Sequence, residues 1–246
     1  MMENIIELKE ISFSDHDDRK IIQDISLEFH PGKTTAIVGP SGGGKSTVLK
    51  ISAGLLHPNH GEVLYNGKNI ALMSRSETLD FRREAAFVFQ DSALWANMDL
   101  FQTLELPLKI HFPNMTKKQR QDRINEITAQ AGYKKDLYIR PARLSMGEQK
   151  LIAFARAMLC NPSVLFLDEW TESLDENSAD TLVNIVRRKQ RENATVLFVS
   201  HDMRIIMDLA DFVVIVVDGK VTKNAPKDLI ISDLLLNDFV KIGIAS

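Results

Sequence analysis

Two patterns of apolar and polar residues run along the chain, and together they predict an α/β fold. In residues 5–13 and 21–29 apolar and polar residues alternate, which is typical of strands with one buried face. Residues 61–65 predict another such strand, and the Asn66-Gly67 pair after it is typical of a tight turn. These segments predict an antiparallel β layer in the N-terminal part of the chain.

Continuous apolar runs predict a second, mainly parallel sheet whose strands are buried on both faces. The runs lie at residues 34–38, 85–89, 163–167, 194–199 and 212–217. Helical periodicity predicts helices between and after the later runs, at residues 147–160, 178–192, 202–209 and 227–241. Strands that alternate with helices are typical of βαβ units, in which the strands run parallel.

The middle of the chain predicts a helical subdomain inserted into this α/β core, at about residues 91–160. The spacing of apolar residues there is mostly helical. Thr116 followed by Gln119 is a capping box, which predicts where one of these helices begins. The predicted organisation is a single domain over residues 1–246, with this insertion and a C-terminal extension at residues 220–246.

Composition limits the class of protein. Of the 246 residues, 44% are hydrophobic and 26% are charged, which is ordinary for a globular protein. The formal net charge of −3 disfavours nucleic acid as a partner, and the basic clusters at 117–123 and 187–191 are explained as solvated helix faces. The only cysteine, Cys160, excludes an internal disulfide and a cysteine-rich metal site and indicates a reducing compartment.

Two features predict a cytoplasmic location. No apolar run approaches the roughly 18 residues that a helix needs to span a bilayer. Residues 1–4 lack the charged and apolar segments of a secretory signal. We therefore expect a protein that stays in the cytoplasm and reaches a membrane only through a partner.

A glycine-rich loop joins the apolar run at 34–38 to a helical segment that begins near Val48. The loop fits the phosphate-binding pattern G-x-x-x-x-G-K-[ST] with Gly39, Pro40, Ser41, Gly42, Gly43, Gly44, Lys45, Ser46 and Thr47. Glycines let successive backbone N–H groups converge on an anion at a helix N-terminus. Lys45 can then reach the β- and γ-phosphates of a nucleotide, and the Ser46 hydroxyl can ligate Mg²⁺. A turn without a ligand is the alternative, but Lys45 and Ser46 in register favour a nucleoside triphosphate site.

Two adjacent carboxylates, Asp168 and Glu169, follow the apolar run Val164–Leu167. At the end of a buried strand, Asp168 can hold Mg²⁺ beside the glycine-rich loop. Glu169 can then accept a proton from an attacking water as general base. An acidic turn after a strand is common by itself, so this prediction depends on the phosphate-binding loop upstream.

Four further groups of residues occur in a fixed order around these two motifs. They are Gln90, the segment Leu144-Ser145-Met146-Gly147-Glu148, the segment Ser173-Leu174-Asp175, and His201. Together with Lys45 and Asp168 they resemble the ATP-binding cassette (ABC) ATPase family over nearly the whole chain. A single histidine or glutamine is usually only a polar surface residue, so the ordered set carries the resemblance. The implied fold is a P-loop NTPase core with a mainly parallel sheet, an N-terminal antiparallel β layer and an inserted α-helical subdomain.

The resemblance implies an ATPase that uses ATP and Mg²⁺. Residues 39–47 resemble the Walker A loop, and Asp168 and Glu169 resemble the end of the Walker B strand. Gln90 resembles the Q-loop glutamine, which contacts Mg²⁺ and the attacking water. His201 resembles the switch histidine, which stabilises the γ-phosphate.

The resemblance also implies partners. In this family two cassettes pair head to tail, and each ATP lies between the Walker A loop of one copy and the signature motif of the other. Residues 144–148 resemble that signature, so Ser145 and Gly147 would contact the γ-phosphate bound to a second copy of the chain. Because the chain carries one cassette and no predicted membrane span, it would need separate permease subunits in the membrane.

Three residues depart from the family pattern in or near its motifs. Met146 stands where a glycine is usual in the signature, and Glu148 stands in place of a glutamine. Trp170 replaces the proline that usually follows the Walker B carboxylates. Because the positions of Ser145 and Gly147 are kept, we expect weakened rather than abolished function.

The base-binding region also departs from the family. The aromatic residue that normally stacks on adenine is missing near residues 14–16. Either Phe13 or His16 would have to replace it. The sequence therefore does not determine the affinity or selectivity for the nucleotide base.

The leading hypothesis is the ATPase subunit of a membrane transporter, held peripherally at the cytoplasmic face of the inner membrane. Residues 89–95 and 106–108 resemble ATPases of the mammalian cell entry (MCE) lipid transport systems, as does the tail Asp238–Lys241. This resemblance favours a phospholipid substrate and an MCE-type substrate-binding protein in the complex. The same stretch also resembles ATPases of lipoprotein-release systems.

Two alternatives stay open. A soluble, non-transport ABC ATPase, such as an iron–sulfur assembly subunit, matches less well at residues 90–108. A degenerate regulatory cassette is suggested by Met146, Trp170 and the missing adenine aromatic. Against it, each chemical role is still filled, by Lys45, Asp168, Glu169 and His201.

Overall fold

The computed structural model describes residues 4–233. Its strands are, in chain order, β1 (Ile6–Ser14), β2 (Lys20–Phe29), β3 (Thr34–Val38), β4 (His60–Tyr65), β5 (Lys68–Asn69), β6 (Ala85–Val88), β7 (Val164–Asp168), β8 (Thr195–Val199), β9 (Phe212–Val217) and β10 (Lys220–Pro226). Its helices are α1 (Lys45–Ser52), α2 (Arg75–Glu84), α3 (Leu100–His111), α4 (Lys117–Gln130), α5 (Met146–Met158), α6 (Glu176–Arg191), α7 (Met203–Leu209) and α8 (Lys227–Asp233). Short 3₁₀ turns lie at Ile70–Leu72 and Pro141–Arg143.

These strands form two sheets. The first has four strands in the order β2-β1-β4-β5, and neighbouring strands in it are antiparallel. The second has six strands in the order β10-β9-β3-β8-β7-β6. Its strands are parallel except at one edge, where β10 pairs antiparallel with β9. The predicted antiparallel layer and mainly parallel sheet are both confirmed.

The central strands of the six-stranded sheet are covered on both faces. Every residue of β3, β7 and β8 is buried. On one face Ile6 of the antiparallel sheet joins Phe166 and Leu197 in a single apolar cluster. On the other face α5 and α6 contribute Phe154 and Leu182 to a second cluster. Burial on both faces explains why these strands are continuous apolar runs in the sequence.

Helices α3, α4 and α5 lie between β6 and β7 and pack against one another. Each begins with a capping box. The side chain of the N-cap residue accepts a hydrogen bond from the backbone N–H three residues later, and the side chain of that later residue accepts one from the N-cap backbone N–H. The pairs are Asp99 with Gln102, Thr116 with Gln119, and Ser145 with Glu148. The predicted capping box at Thr116 is confirmed, and the three helices fall within the predicted insertion at about 91–160. No helix within residues 4–233 has the length and apolar character needed to cross a membrane.

Sequence periodicity does not predict α2 or β10. Phe81 is the only buried side chain of α2, and most residues of β10 are exposed at the sheet edge. Residues 220–226 therefore belong to the core sheet and not to the predicted C-terminal extension at 220–246. The predicted helix at 227–241 begins as α8, but its remainder after Asp233 and the tail Asp238–Lys241 lie outside the described residues.

Parallel pairing places the carboxyl ends of β3, β8 and β7 at one edge of the sheet. The glycine-rich loop at 39–47 follows β3, His201 follows β8, and Glu169 follows β7. Ligand sites of open α/β sheets form at this edge. The fold therefore brings together residues that are far apart in the sequence.

Phe166 tests the packing between the two sheets. Its side chain is 1% exposed, and its ring stacks with Phe87 at 6.2 Å between centroids. We expect Phe166→Ala to lower the free energy of unfolding by about 3–5 kcal/mol, because it removes buried apolar atoms and leaves a cavity. Urea unfolding measures this change. The control is Leu72→Ala, at a side chain that is 76% exposed, which should change the free energy of unfolding by less than about 0.5 kcal/mol. Equal losses of unfolding free energy in the two variants would contradict the packing of Phe166 between the sheets.

Candidate functional site

The glycine-rich loop leaves β3 and leads directly into α1, which begins at Lys45. Gly39 has a φ of 147°, and a Cβ atom there would lie 2.0 Å from the Val216 carbonyl oxygen. Gly44 has a φ of 101°, and a Cβ atom there would lie 2.8 Å from Ile22 Cδ1. Only glycine fits at these two positions. They let the loop curl closely around the N-terminus of α1, where free backbone N–H groups attract anions.

The Lys45 side chain folds back over this loop. It is 6% exposed, and its Nζ donates to the Pro40 carbonyl oxygen at 2.8 Å. Burial lowers the pKa of Lys45, and the nearby Glu169 and Asp168 carboxylates oppose that shift. Lys45 is therefore held at the loop and within electrostatic reach of the acidic end of β7.

Ser46 and Asp168 form a candidate Mg²⁺ site. The Ser46 hydroxyl donates to Asp168 Oδ1 at 2.7 Å, and Asp168 is 1% exposed. Burial raises the pKa of Asp168, while the Ser46 hydrogen bond and nearby lysines lower it. Hydroxyl and carboxylate oxygens suit Mg²⁺. Within residues 4–233 no group of three or more His, Cys, Asp or Glu residues is placed to hold a metal. In nucleotide sites Mg²⁺ is usually bound by one or two carboxylates together with substrate phosphates.

Glu169 and His201 meet at the carboxyl ends of β7 and β8. Glu169 Oε1 lies 3.1 Å from His201 Nε2, and the Glu169 backbone N–H donates to the Val199 carbonyl oxygen at 3.1 Å. Glu169 has a φ of 43°, in the left-handed region, so the chain turns sharply after β7. Burial raises the pKa of Glu169, and His201 opposes that shift. A carboxylate with a raised pKa is suited to accept a proton as general base.

Gln90 follows β6, and its side chain is exposed. Its Nε2 donates to Glu172 Oε2 at 3.1 Å. The Glu172 backbone N–H donates in turn to the Glu169 carbonyl oxygen at 3.2 Å. The structure thus brings Gln90 to the turn that contains Glu169, while its side chain bonds Glu172 and not the Ser46–Asp168 pair.

The start of α5 is a local hydrogen-bonded unit. Ser145 Oγ accepts from the Glu148 N–H at 3.2 Å, and the Glu148 carboxylate accepts from the Ser145 N–H at 2.9 Å. Glu148 also accepts from Lys135, and this hydrogen bond is the main cause that lowers the pKa of Glu148. Within the described chain, these bonds do not join the start of α5 to the loop at 39–47.

Met146 and Trp170, which depart from the family pattern, have different surroundings. Met146 is the first residue of α5 and is 71% exposed. Gly147 after it lies against the Ser173 carbonyl oxygen, which would be 3.2 Å from an added Cβ atom. Trp170 is fully buried, and its ring stacks on Phe154 at 5.8 Å between centroids. Trp170 is therefore a core residue, whereas Met146 lies on the surface of the signature segment.

The end of β1 and the turn after it carry the candidate base contacts, Phe13 and His16. Phe13 lines a groove of about 970 Å³ that includes Ile22, the same residue that closely approaches Gly44 of the phosphate-binding loop. His16 is exposed and does not line this groove. Of the two replacement aromatics, Phe13 therefore has the better position for a nucleotide base.

Lys150 is a buried residue of the site that the sequence motifs do not single out. It is 4% exposed in α5, and its Nζ donates to the Glu169 carbonyl oxygen at 3.1 Å and to the Gln90 carbonyl oxygen. Lysine is almost never fully buried unless it is paired. A lysine beside the apolar stretch 151–155 is therefore the sequence signal that would have found it.

Gly39 tests the geometry of the loop. Gly39→Ala should weaken ATP binding by at least about tenfold, because the loop must shift to relieve the contact with Val216. Titration with a fluorescent ATP analogue measures the affinity. The control is Gly67→Ala, where φ is 74° but no atom lies within 4 Å of the added Cβ, and its affinity should stay within about twofold. Unchanged affinity in Gly39→Ala would count against phosphate binding at this loop.

Known proteins resemble the chain over most of its length. A family model described as ABC transporter matches residues 22–172. The intermembrane phospholipid transport system ATP-binding protein MlaF of Haemophilus influenzae is 31% identical over 244 residues, which are 98% of this chain and 92% of that protein. MlaF of Escherichia coli K12 is 32% identical over 89% of this chain and 81% of that protein. The macrolide export ATP-binding/permease protein MacB of Haemophilus ducreyi is 34% identical over 94% of this chain but 34% of that protein.

A solved structure supports the same family. The dimeric structure of a post-hydrolysis state of the ATP-binding cassette MJ0796, bound to ADP and Pi, has a TM-score of 0.83 and 26% identity over 90% of this chain and 98% of that chain. The resemblance read from the ordered motifs is thereby confirmed, as is the P-loop fold with its helical insertion. The chain therefore belongs to the ABC transporter family, as an ATP-hydrolysing ATP-binding cassette.

Proposed function

We propose that the chain is the ATPase subunit of a membrane transporter that moves phospholipids. The observation that carries the proposal is the similarity to MlaF of Haemophilus influenzae, which extends over 98% of this chain and 92% of that protein. The match to MacB covers 34% of that protein and supports only a shared cassette. A match over 92% of a separate ATP-binding protein favours the same role for this chain.

In the proposed reaction, water attacks the γ-phosphorus of ATP while the bond from that phosphorus to the bridging oxygen of ADP breaks. Glu169 accepts the proton of the water, a role that its raised pKa supports. Lys45 and the backbone N–H groups of residues 39–47 hold the β- and γ-phosphates. His201, whose Nε2 lies 3.1 Å from Glu169 Oε1, stabilises the charge on the γ-phosphate.

Ser46 and Asp168 would hold Mg²⁺, with Gln90 as a further contact. Mg²⁺, when bound, neutralises charge on the β- and γ-phosphates. The 2.7 Å hydrogen bond between Ser46 and Asp168 supports this pairing, since both oxygens already lie side by side. Gln90 would exchange its exposed hydrogen bond to Glu172 for the ion and the attacking water. That exchange costs little, because an exposed hydrogen bond competes with water in any case.

Two copies of the chain would complete each ATP site. The start of α5 carries Ser145 and Gly147 at a helix N-terminus, which favours an anionic ligand. In a head-to-tail pair, this end of one copy would face the γ-phosphate held by the loop of the other. Dimeric cassette structures that resemble this chain support such a pair. Twofold symmetry would then give two equivalent sites.

A groove between the edge of the sheet and the helical insertion supports a membrane partner. Its volume is about 470 Å³, and its lining contains no Asp or Glu. Trp95 and Ile110 in the groove are 44% and 50% exposed. The lining also includes Arg82, Arg156 and Arg83, of which Arg83 pairs with Asp80 at 3.4 Å. A cytoplasmic segment of the permease with apolar and acidic residues would complement this surface.

Docking at this groove would keep the chain peripheral, at the cytoplasmic face of the inner membrane. The permease subunits would supply the path for the lipid. An MCE-type substrate-binding protein would deliver or receive it, which the similarity to MlaF supports. We propose no nucleic acid partner, in keeping with the net charge of −3.

A degenerate, regulatory cassette is the second candidate. The observation that favours it is Met146, which is 71% exposed at the helix start proposed to face the ATP of the second copy. A side chain there could crowd the γ-phosphate. Such a cassette would bind ATP without turning it over. A soluble, non-transport ATPase would instead purify without polytopic membrane proteins.

Glu169 tests the proposed reaction in the cassette purified with its membrane partners and reconstituted into phospholipid vesicles. Glu169→Gln should lower phosphate release and the movement of a fluorescent phospholipid by at least about 100-fold, because the general base is lost. ATP binding should be retained. Glu126→Gln, at a side chain that is 53% exposed on α4, is the matched control and should keep the wild-type rate.

Each result of this experiment has a distinct meaning. Wild-type turnover in Glu169→Gln would show that the general base is assigned wrongly. Turnover without phospholipid movement would reject the lipid substrate. ATP binding without turnover in the wild-type assembly would favour the degenerate cassette.

A substitution at Ile110 tests the proposed docking groove, which is the groove between the edge of the sheet and the helical insertion. Ile110→Arg should abolish co-purification with the membrane partners, because it places a long cation in an apolar groove that already has positive charge. Quantitative mass spectrometry of the tagged cassette measures this loss, and ATP affinity should stay within about twofold. Leu72→Arg, at a residue that is 76% exposed and not part of the groove, should leave the partners bound. Partner recovery at wild-type levels with Ile110→Arg would place the docking surface elsewhere.

A further inference from the structure

Lys150 is a buried cation that ties two parts of the site together. It is 4% exposed and lies one turn into α5. Its Nζ donates to the Glu169 carbonyl oxygen at 3.1 Å and to the Gln90 carbonyl oxygen. Gln90 belongs to the segment after β6, and Glu169 belongs to the turn after β7. Three separate elements therefore meet at one ammonium group.

The surroundings of Lys150 are acidic. Burial lowers its pKa, and the carboxylates of Glu172, Asp168, Glu169 and Asp91 oppose that shift. A buried ammonium group keeps its charge only where it is paired and hydrogen-bonded. Two carbonyl oxygens and these carboxylates meet that condition. An apolar side chain at this position would remove the donor from both carbonyl groups.

The segments that Lys150 joins contain unusual backbone conformations. Glu169 has a φ of 43°, and Ser92 and Ala93, just after Gln90, have φ values of 63° and 44°. Residues other than glycine stay in this left-handed region when surrounding contacts hold them there. Arg156, also on α5, donates to the Ser92 and Ala93 carbonyl oxygens at 3.2 and 2.7 Å. One helix therefore holds both segments through side-chain donors.

We propose that Lys150 is a positioning residue for ATP hydrolysis. It holds the Glu169 turn against the Gln90 segment and so directs the Glu169 carboxylate toward His201. The inference rests on the proposed role of Glu169 as general base. Lys150 contacts the backbone carbonyl groups of Gln90 and Glu169, so it acts through these residues. A wrongly oriented general base lowers the rate of ATP hydrolysis, whereas the phosphate-binding loop still binds the nucleotide with the same affinity.

The chain offers a matched control for Lys150 in Lys189. Lys189 is 6% exposed on α6, and its Nζ donates to Asn161 Oδ1 at 3.0 Å and to Glu192 Oε2 at 2.8 Å. Replacing either lysine by methionine removes a buried ammonium group with two hydrogen bonds. Of these two lysines, only Lys150 contacts the turn at Glu169, at the edge of the sheet that carries the proposed catalytic groups. The pair therefore separates positioning of the base from a general loss of stability.

The first measurement is ATP turnover of the cassette purified with its membrane partners. Lys150→Met should lower kcat by at least about tenfold, with KM for ATP within about threefold of wild type. Lys189→Met should keep kcat within about twofold. Lys150→Gln, which keeps uncharged N–H donors, should have an intermediate kcat, and it replaces the methionine variant if that variant does not fold.

The second measurement does not depend on the identity of the general base. Hydrogen exchange of the backbone amides at residues 90–94 and 169–172 should be faster in Lys150→Met than in wild type. Lys189→Met should leave exchange in these segments unchanged. If Glu169→Gln turned over normally, the proposed base would be wrong, while faster exchange in Lys150→Met would still support its hold on the turn.

Three results would overturn the proposal. The first is wild-type kcat in Lys150→Met, and the second is an equal loss of kcat in Lys189→Met. The third is unchanged hydrogen exchange at residues 169–172 in Lys150→Met. Any of these would leave Lys150 with a structural role only.

Discussion

Parallel strands end at the same edge of a sheet, and in this cassette that edge carries the groups proposed to act on ATP from one copy. The 2.7 Å hydrogen bond from Ser46 to Asp168 joins residues that are 122 positions apart. It exists because β3 and β7 both pair in parallel with β8. Parallel neighbours cannot be joined by tight hairpins, so the chain must cross over between them. The helical insertion between β6 and β7 is one such crossover, and its position brings α5 to the same edge.

Helix α5 connects the three regions that an ATP-driven motor has to coordinate. Its first turn carries Ser145, proposed to face the second copy. Lys150 reaches the turn after β7, and Arg156 holds the segment beside Trp95 in the docking groove. These contacts lie along one rigid element of 13 residues. A rotation of the helical insertion would therefore move the proposed dimer face, the turn at Glu169 and the proposed docking groove together.

Burial decides how far the sequence predicts this structure. The strands buried on both faces were predicted closely, and the run at 212–217 coincides with β9. Helix α2 buries only Phe81, and β10 exposes most of its residues, so neither leaves an apolar pattern. Site residues follow from the order of the motifs, because each motif has its own chemistry. Their contacts do not follow, since the bonds of Gln90 to Glu172 and of Lys150 to the Glu169 carbonyl group join segments whose separation only the folded chain sets.

The chain contains two tryptophans, and the fold gives them opposite surroundings. Trp170 is fully buried next to Glu169, whereas Trp95 is 44% exposed with the Arg156 guanidinium 5.5 Å from its ring centroid. Indole emission shifts with solvent exposure and is quenched by nearby charged or polar groups. The cassette therefore carries an intrinsic optical reporter beside Glu169, the proposed general base, and another at the proposed docking groove. Single-tryptophan variants would allow each event to be followed in real time without an attached dye.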